Sequence, residues 1–314
     1  MDIIFKTNNI PAQQQESIIS FFDSNLYKLG LDLTSLEGIT ICENFFEDII
    51  EFQTKHKKRE IGATKTSNEA AIAKVLDYID KSDSYKQVVF LSDFIAQGLF
   101  LEEEIAQRSF HFINHELVHV HDEYNKKCKI YSEKARQGIG DHVLDHILRV
   151  HADAVWSEYI AERLSSPTVT ASHISSFMDH ITQLIERVEE NVKNEISQYR
   201  FHADIDKLFS IVQEECLLLL KISANLVGVI HGLSSISDGK NKVEAQIDEL
   251  FVNTYLFQIW NKLKEELNNL IETYPNWNDV YQLDRLGKVV LSCWSFLGVL
   301  PEKSGEQMYI NVPL

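Results

Sequence analysis

Residues 110–122 read Phe-His-Phe-Ile-Asn-His-Glu-Leu-Val-His-Val-His-Asp, an apolar stretch with four histidines and two acids at helical spacing. Phe110, Ile113, Leu117, Val120 and Tyr124 recur at steps of three and four, which makes one apolar face. Phe112 and Val118 accompany the histidines on the other, and a helix apolar on both faces is buried. Glu102, Glu103 and Glu104 suit the positive end of a helix dipole and Lys126 and Lys127 the negative end, so the helix is predicted from about Leu101 to Lys127.

Within it, His115-Glu116-Leu117-Val118-His119 is an HExxH sequence. Two imidazoles one turn apart share a face and can chelate one ion, for which zinc is the natural choice. Glu116 lies about 100° round the helix from His115, within reach of a water beside the metal but poorly placed as a ligand. That geometry suits a general base. Hydrogen-bonded core histidines are the plainer alternative, but they would bury Glu116 without an obvious partner. His111 and Asp122 share the metal stripe and are read as outer partners of the ligands.

Outward from this helix, a second is predicted over about 141–164, broken by Ser165, Ser166 and Pro167. His142, His146 and His151 stand on its approach to Glu158; His146 and His151 are read either as aids to transition-state charge or as surface and capping residues. A domain boundary at the break gives units 1–165 and 166–314. Upstream, Gly38–Cys42 and Gln87–Leu91 read as strands, the latter rich in β-branched residues, and Ala70–Tyr78 as strand or helix. Downstream, Ile174, Phe177, Ile181, Leu184, Val188 and Val192 form an apolar stripe on a helix over 172–199, suited to a bundle or to a homo-oligomeric coiled coil. Further helices are expected over 204–232, 242–274 and 279–299. The fold class is therefore α+β, predominantly helical: a small sheet and two metal-bearing helices, then a helical domain.

A catalytic zinc takes three protein ligands and a water, so a third must come from elsewhere. Asp122 and Asn125 stand where a metzincin would carry Gly and His. Ser157-Glu158-Tyr159-Ile160-Ala161-Glu162 resembles the second motif of the gluzincins, Asn-Glu-x-x-Ser-Asp, with the glutamate kept and the other three positions only similar. The resemblance implies a zincin-like catalytic domain over 1–165 and one Zn²⁺ held by His115, His119 and Glu158. It makes Glu162 an acceptor for the other ring nitrogen of His115 or His119, and peptides or proteins the substrate. It also implies that a strand before the active-site helix, here Gln87–Leu91, pairs with extended substrate at the sheet edge. Gluzincins often stabilise the oxyanion with a downstream Tyr or His; Tyr159, His173, Tyr199, His202 and His231 all qualify.

A formal charge of −17 repels a phosphate backbone, so nucleic acid is not an expected partner. The one basic run, Lys55, His56, Lys57, Lys58 and Arg59, reads as a solvated helix end. Cys42, Cys128, Cys216 and Cys293 show no metal or disulfide spacing and are read as reduced packing residues. Met-Asp-Ile-Ile-Phe-Lys has no signal-peptide pattern, which points to the cytoplasm. The apolar stretches Leu217–Leu233 and Val289–Leu300 are interrupted or short and read as buried helices, with no membrane expected. Two other functions compete with a peptidase. The His121-Asp122 dipeptide invites an HD-type phosphohydrolase with two metals, and the large helical half suits a noncatalytic interaction protein that retains a zinc.

Overall fold

The computed structural model describes residues 1–58, 62, 71–233 and 240–313; Arg59 of the basic run and Ala70 of the undecided segment lie outside the described residues. The chain divides into two compact units, 1–128 with 168–170, and 129–167 with 171–314.

The first unit runs β1 (Asp2–Lys6), α1 (Ala12–Asn25), β2 (Leu36–Cys42), α2 (Phe45–Lys55), β3 (Ala73–Ile79), β4 (Tyr85–Ser92), α3 (Asp93–Gly98) and α4 (Glu103–Asn125). The undecided segment is thus a strand. The sheet order is β1-β2-β4-β3, parallel except where β3 pairs antiparallel with β4. Successive side chains point to opposite faces. Ile39, Ile41, Val89 and Leu91 pack with Ile18 and Phe22 of α1 and Ile113, Leu117 and Val120 of α4. Cys42, Val88 and Phe90 pack on the other side with Phe45 and Ile49 of α2.

That two-sided burial corrects one expectation. Gln87–Leu91 is not an edge, because β4 is paired with β2 on one side and β3 on the other. The unbroken apolar run that marked it as a strand is the pattern of a strand covered on both faces. The outer strands are β1 and β3. β1 passes so close to β2 that a Cβ on Gly38 would stand 2.5 Å from the Asp2 carbonyl oxygen, which leaves room only for glycine.

The second unit holds α5 (Glu133–Arg136), α6 (Val143–Ser165), α7 (Ala171–His202), α8 (Ile205–Leu233), α9 (Lys240–Val252), α10 (Phe257–Ile271), α11 (Asp284–Phe296) and a hairpin of β5 (Leu300–Ser304) and β6 (Gln307–Asn311). The expected helix over 242–274 is two helices. Between them the Thr254 hydroxyl accepts the Leu256 N–H, a local bond that competes with helix continuation. On α7, Ile181, Leu184, Val188 and Val192 are buried in this unit's own core, as the bundle reading requires. Helix α6, assigned to 1–165 from sequence, places Val155, Trp156, Tyr159 and Ile160 in the same core and lies with the second unit.

Helix α8 is long and apolar enough to cross a membrane by length and composition, but 67% of its most apolar stretch is buried inside the protein, as in the core helix of a soluble protein. It packs on α6 through two glycines. A Cβ on Gly228 would meet the Tyr159 carbonyl oxygen at 2.7 Å and Glu162 Cβ at 2.8 Å; one on Gly232 would meet Ser166 Oγ at 2.1 Å and the Arg163 carbonyl oxygen at 2.6 Å.

In an exposed helix Gly→Ala would gain about 1 kcal/mol from propensity. At Gly228 the clash is with backbone that cannot rotate away, and overpacking of this kind costs about 1–3 kcal/mol. Gly228→Ala is therefore expected to destabilise the protein despite the better helix former. Urea unfolding of the two proteins checks it, and an unchanged or raised midpoint would refute the packing argument.

Candidate metal centre

Helix α4 brings the two motif histidines together. His115 Nε2 and His119 Nε2 stand 3.1 Å apart, with ring centroids 4.7 Å apart and planes at 80°. Two nitrogens bonded at about 2.0–2.1 Å to one tetrahedral zinc are about 3.3 Å apart, so the pair fits one ion with almost no adjustment. Both rings and Glu116 are half-buried.

The neighbours on α4 have identifiable bonds. His111 is buried, with Nδ1 3.1 Å from the Thr168 hydroxyl, which also accepts from the Asn114 amide at 3.3 Å. Asp122 is buried and paired with Lys126 Nζ at 3.0 Å. His121 Nδ1 accepts the Asp32 backbone N–H at 2.8 Å, which puts the proton of a neutral ring on Nε2. The two residues of the HD dipeptide thus carry structural bonds inside the first unit.

The far end of α4 widens into a π-helical turn, Lys126–Ile130, held by charge. Lys126 pairs with Glu123 at 2.7 Å as well as with Asp122, and Lys127 pairs with Glu123 at 2.9 Å and with Asp77 of β3 at 3.3 Å. Lys58 takes the other Asp77 oxygen at 2.8 Å. Burial pushes both carboxyls upward, but Lys127 and Lys58 outweigh it at Asp77 and Lys126 and Lys127 at Glu123, so both are held below the ordinary carboxylate range.

In the second unit, Glu158 and Glu162 lie one turn apart on α6. Glu158 Oε1 is 2.7 Å from Lys221 Nζ of α8. Glu162 is buried, with Oε1 3.4 Å from His173 Nε2 of α7. Tyr159 is buried between them in sequence; its hydroxyl stands 2.9 Å from His231 Nδ1 and accepts from Arg163 at 3.2 Å. Burial pushes its phenol up to about 12 against the pull of Arg163, so it stays protonated.

The remaining histidines of α6 and its N-cap are engaged locally. His142 caps the helix, its Nδ1 accepting the Leu144 N–H at 3.1 Å while Nε2 donates to the Gln307 carbonyl at 3.0 Å. His146 packs against Gly138. His151 donates to the Ile147 carbonyl at 3.0 Å and lies edge-on to Trp294; burial lowers its pKa, which favours the neutral ring. Of the oxyanion candidates, His202 Nδ1 accepts the Asp204 N–H at 2.9 Å. Lys221 has no place in the sequence reading beyond interrupting an apolar run; a lysine inside such a run is nonetheless a signal that an acid waits for it.

No protein-family model, curated protein or solved structure matches this chain.

Folded pKa values below the unfolded ones mean that Asp77 and Glu123 stabilise the protein fully above the unfolded carboxylate value of about 4 and lose that contribution as pH falls through their folded values. Wild type should therefore lose more unfolding free energy between pH 7 and pH 3 than Asp77→Asn, which has one such group fewer. Denaturant unfolding of both proteins at the two pH values measures the difference; equal losses would remove Asp77 from the acid response.

Proposed function

We propose that this chain is a zinc-dependent metallopeptidase of the gluzincin kind, in which His115, His119 and Glu158 hold one Zn²⁺ and Glu116 is the general base. The observation that carries the reading is the 3.1 Å approach of His115 Nε2 to His119 Nε2, a separation suited to two ligands of one tetrahedral ion. Glu158 is the third ligand by its resemblance to the gluzincin glutamate, and the donor set of two imidazoles and a carboxylate is one that catalytic zinc uses. Zinc bound there supplies a water acidified to a pKa of about 7 and polarises the scissile carbonyl.

The protein's own part is to hold substrate and move one proton. Glu116, next to His115 but turned away from the chelating face, accepts the proton from the attacking water as the carbon–oxygen bond forms. It then delivers that proton to the leaving amine as the carbon–nitrogen bond breaks, so the carboxylate is regenerated each cycle. Peptides or proteins are the substrate class. The bonds that occupy His121 and Asp122 favour this reading over a phosphohydrolase built on the same dipeptide.

Metal content and a single variant test the mechanism together. Protein purified without added metal should carry about one zinc per chain, and Glu116→Gln should keep that zinc while losing nearly all hydrolysis, because an amide cannot accept the proton. Two tightly held metals, or a Gln variant of near wild-type activity against a peptide library, would count against it.

The ligand assignment separates two neighbouring acids. Glu158→Ala should release zinc, whereas Glu162→Ala should weaken it only about 10–100-fold, as loss of an outer partner does. Chelator competition ranks the two; if Glu162→Ala is the more damaging, the third ligand lies one turn further along α6.

A further inference from the structure

Helix α8 is a core helix, yet the face it turns toward α6 is not uniformly apolar. Lys221, Asn225, Gly228 and Gly232 fall within about 60° of one another round its axis. At the glycines the two backbones meet, Gly228 against Tyr159, Glu162 and Arg163 and Gly232 against Arg163 and Ser166, so both helices run in the same direction through the contact. One turn back from Gly228, that register sets Asn225 level with Glu158. Asn225 is 5% exposed, and its Oδ1 has no hydrogen-bond partner among the described residues. Lys221 reaches the same level, with Nζ 2.7 Å from Glu158 Oε1. A buried polar group costs stability unless something uses it, and both side chains stand on α8 at the level of the proposed third ligand.

We infer that Lys221 is the positioning residue for Glu158, fixing one carboxylate oxygen so that the other is presented to zinc. The inference rests on the ligand role proposed above for Glu158. A carboxylate offers about four lone-pair positions on two oxygens, so it can accept from an ammonium and ligate a metal at the same time. A glutamate side chain has several rotatable bonds, and the lysine removes that freedom before the ion arrives. Partners of ligating carboxylates act in this way at zinc sites.

One effect opposes it. An ammonium near a dication repels it, and on Coulomb's law alone removal of Lys221 would tighten zinc binding. The Lys221 side chain is 35% exposed against 17% for Glu158, so solvent screens the long-range repulsion more than it weakens the direct bond. Positioning therefore outweighs repulsion, and the two effects predict opposite signs for the same substitution.

Zinc affinity of the full chain, measured by chelator competition, reads the sign directly. Lys221→Met and Lys221→Gln should each bind zinc about 10–100-fold more weakly than wild type, and Lys221→Arg should stay close to wild type because it keeps both charge and donor. Thermal unfolding without metal identifies a variant that has lost its fold, in which case the other neutral variant decides. Unchanged or tighter zinc binding in a folded neutral variant, with Glu158→Ala still releasing zinc, overturns the role of Lys221 and leaves the ligand assignment standing. Unchanged binding in Glu158→Ala instead overturns the ligand assignment, and the inference with it.

Discussion

Two missing side chains set the geometry of the helical unit. Because Gly228 and Gly232 have no Cβ, α8 approaches the backbone of α6 more closely than any larger residue permits, and every side chain on the facing stripes is placed by that approach. Across that contact Tyr159 meets His231, and Glu158 meets Lys221. Packed helices stand about 8–10 Å apart depending on the side chains at the contact, and glycines on one of them favour the near end of that range. The small residues of α8 thus set the register in which the polar groups of the two helices face one another.

The first unit solves a different problem, that of holding one helix still along its length. Helix α4 is gripped in the middle by apolar contacts from the sheet and α1, and at its end by ions: Asp122 and Glu123 around Lys126, then Lys127 reaching Asp77 of β3. A buried lysine is tolerated because two acids on its own helix surround it. An ion-held end gives the histidine rings a fixed backbone. The convergence of the two Nε2 atoms then depends only on side-chain torsions, which packing restricts to few choices.

Most of the local structure was legible because its causes are local. The acids and lysines flanking α4 bracket it within a few residues, and the two strands with β-branched runs are where their composition puts them. The HExxH spacing puts the two histidines one turn apart on one face, which the helix itself guarantees, and leaves only their torsions to be chosen. What failed was whatever depends on a distant partner. Nothing within Gln87–Leu91 tells that β3 will cover its outer edge, and nothing within α6 tells that Trp156 and Tyr159 will join the core of the helical unit rather than that of the sheet. Lys221 belongs to the same class: its charge is visible in the sequence, but the acid it meets is more than sixty positions away on another helix. The split of 242–274 falls at a turn held by local bonds of Thr254, which periodicity does not record.

The first unit is discontinuous, and that has a practical meaning. Its main body ends at Cys128, yet Thr168–Thr170 belong to it, and Thr168 supplies the hydroxyl shared by His111 and Asn114 under the motif helix. The chain leaves, builds α5 and α6 in the second unit, and comes back for three residues before departing again. No single cut in the polypeptide separates the two units into intact pieces: a fragment stopping at 128 forfeits its returning segment, and one running to 170 carries two helices stripped of their core. Dissection by truncation is therefore the wrong tool for this protein. Expression of the uncut chain, with function removed one side chain at a time, is the route its topology allows.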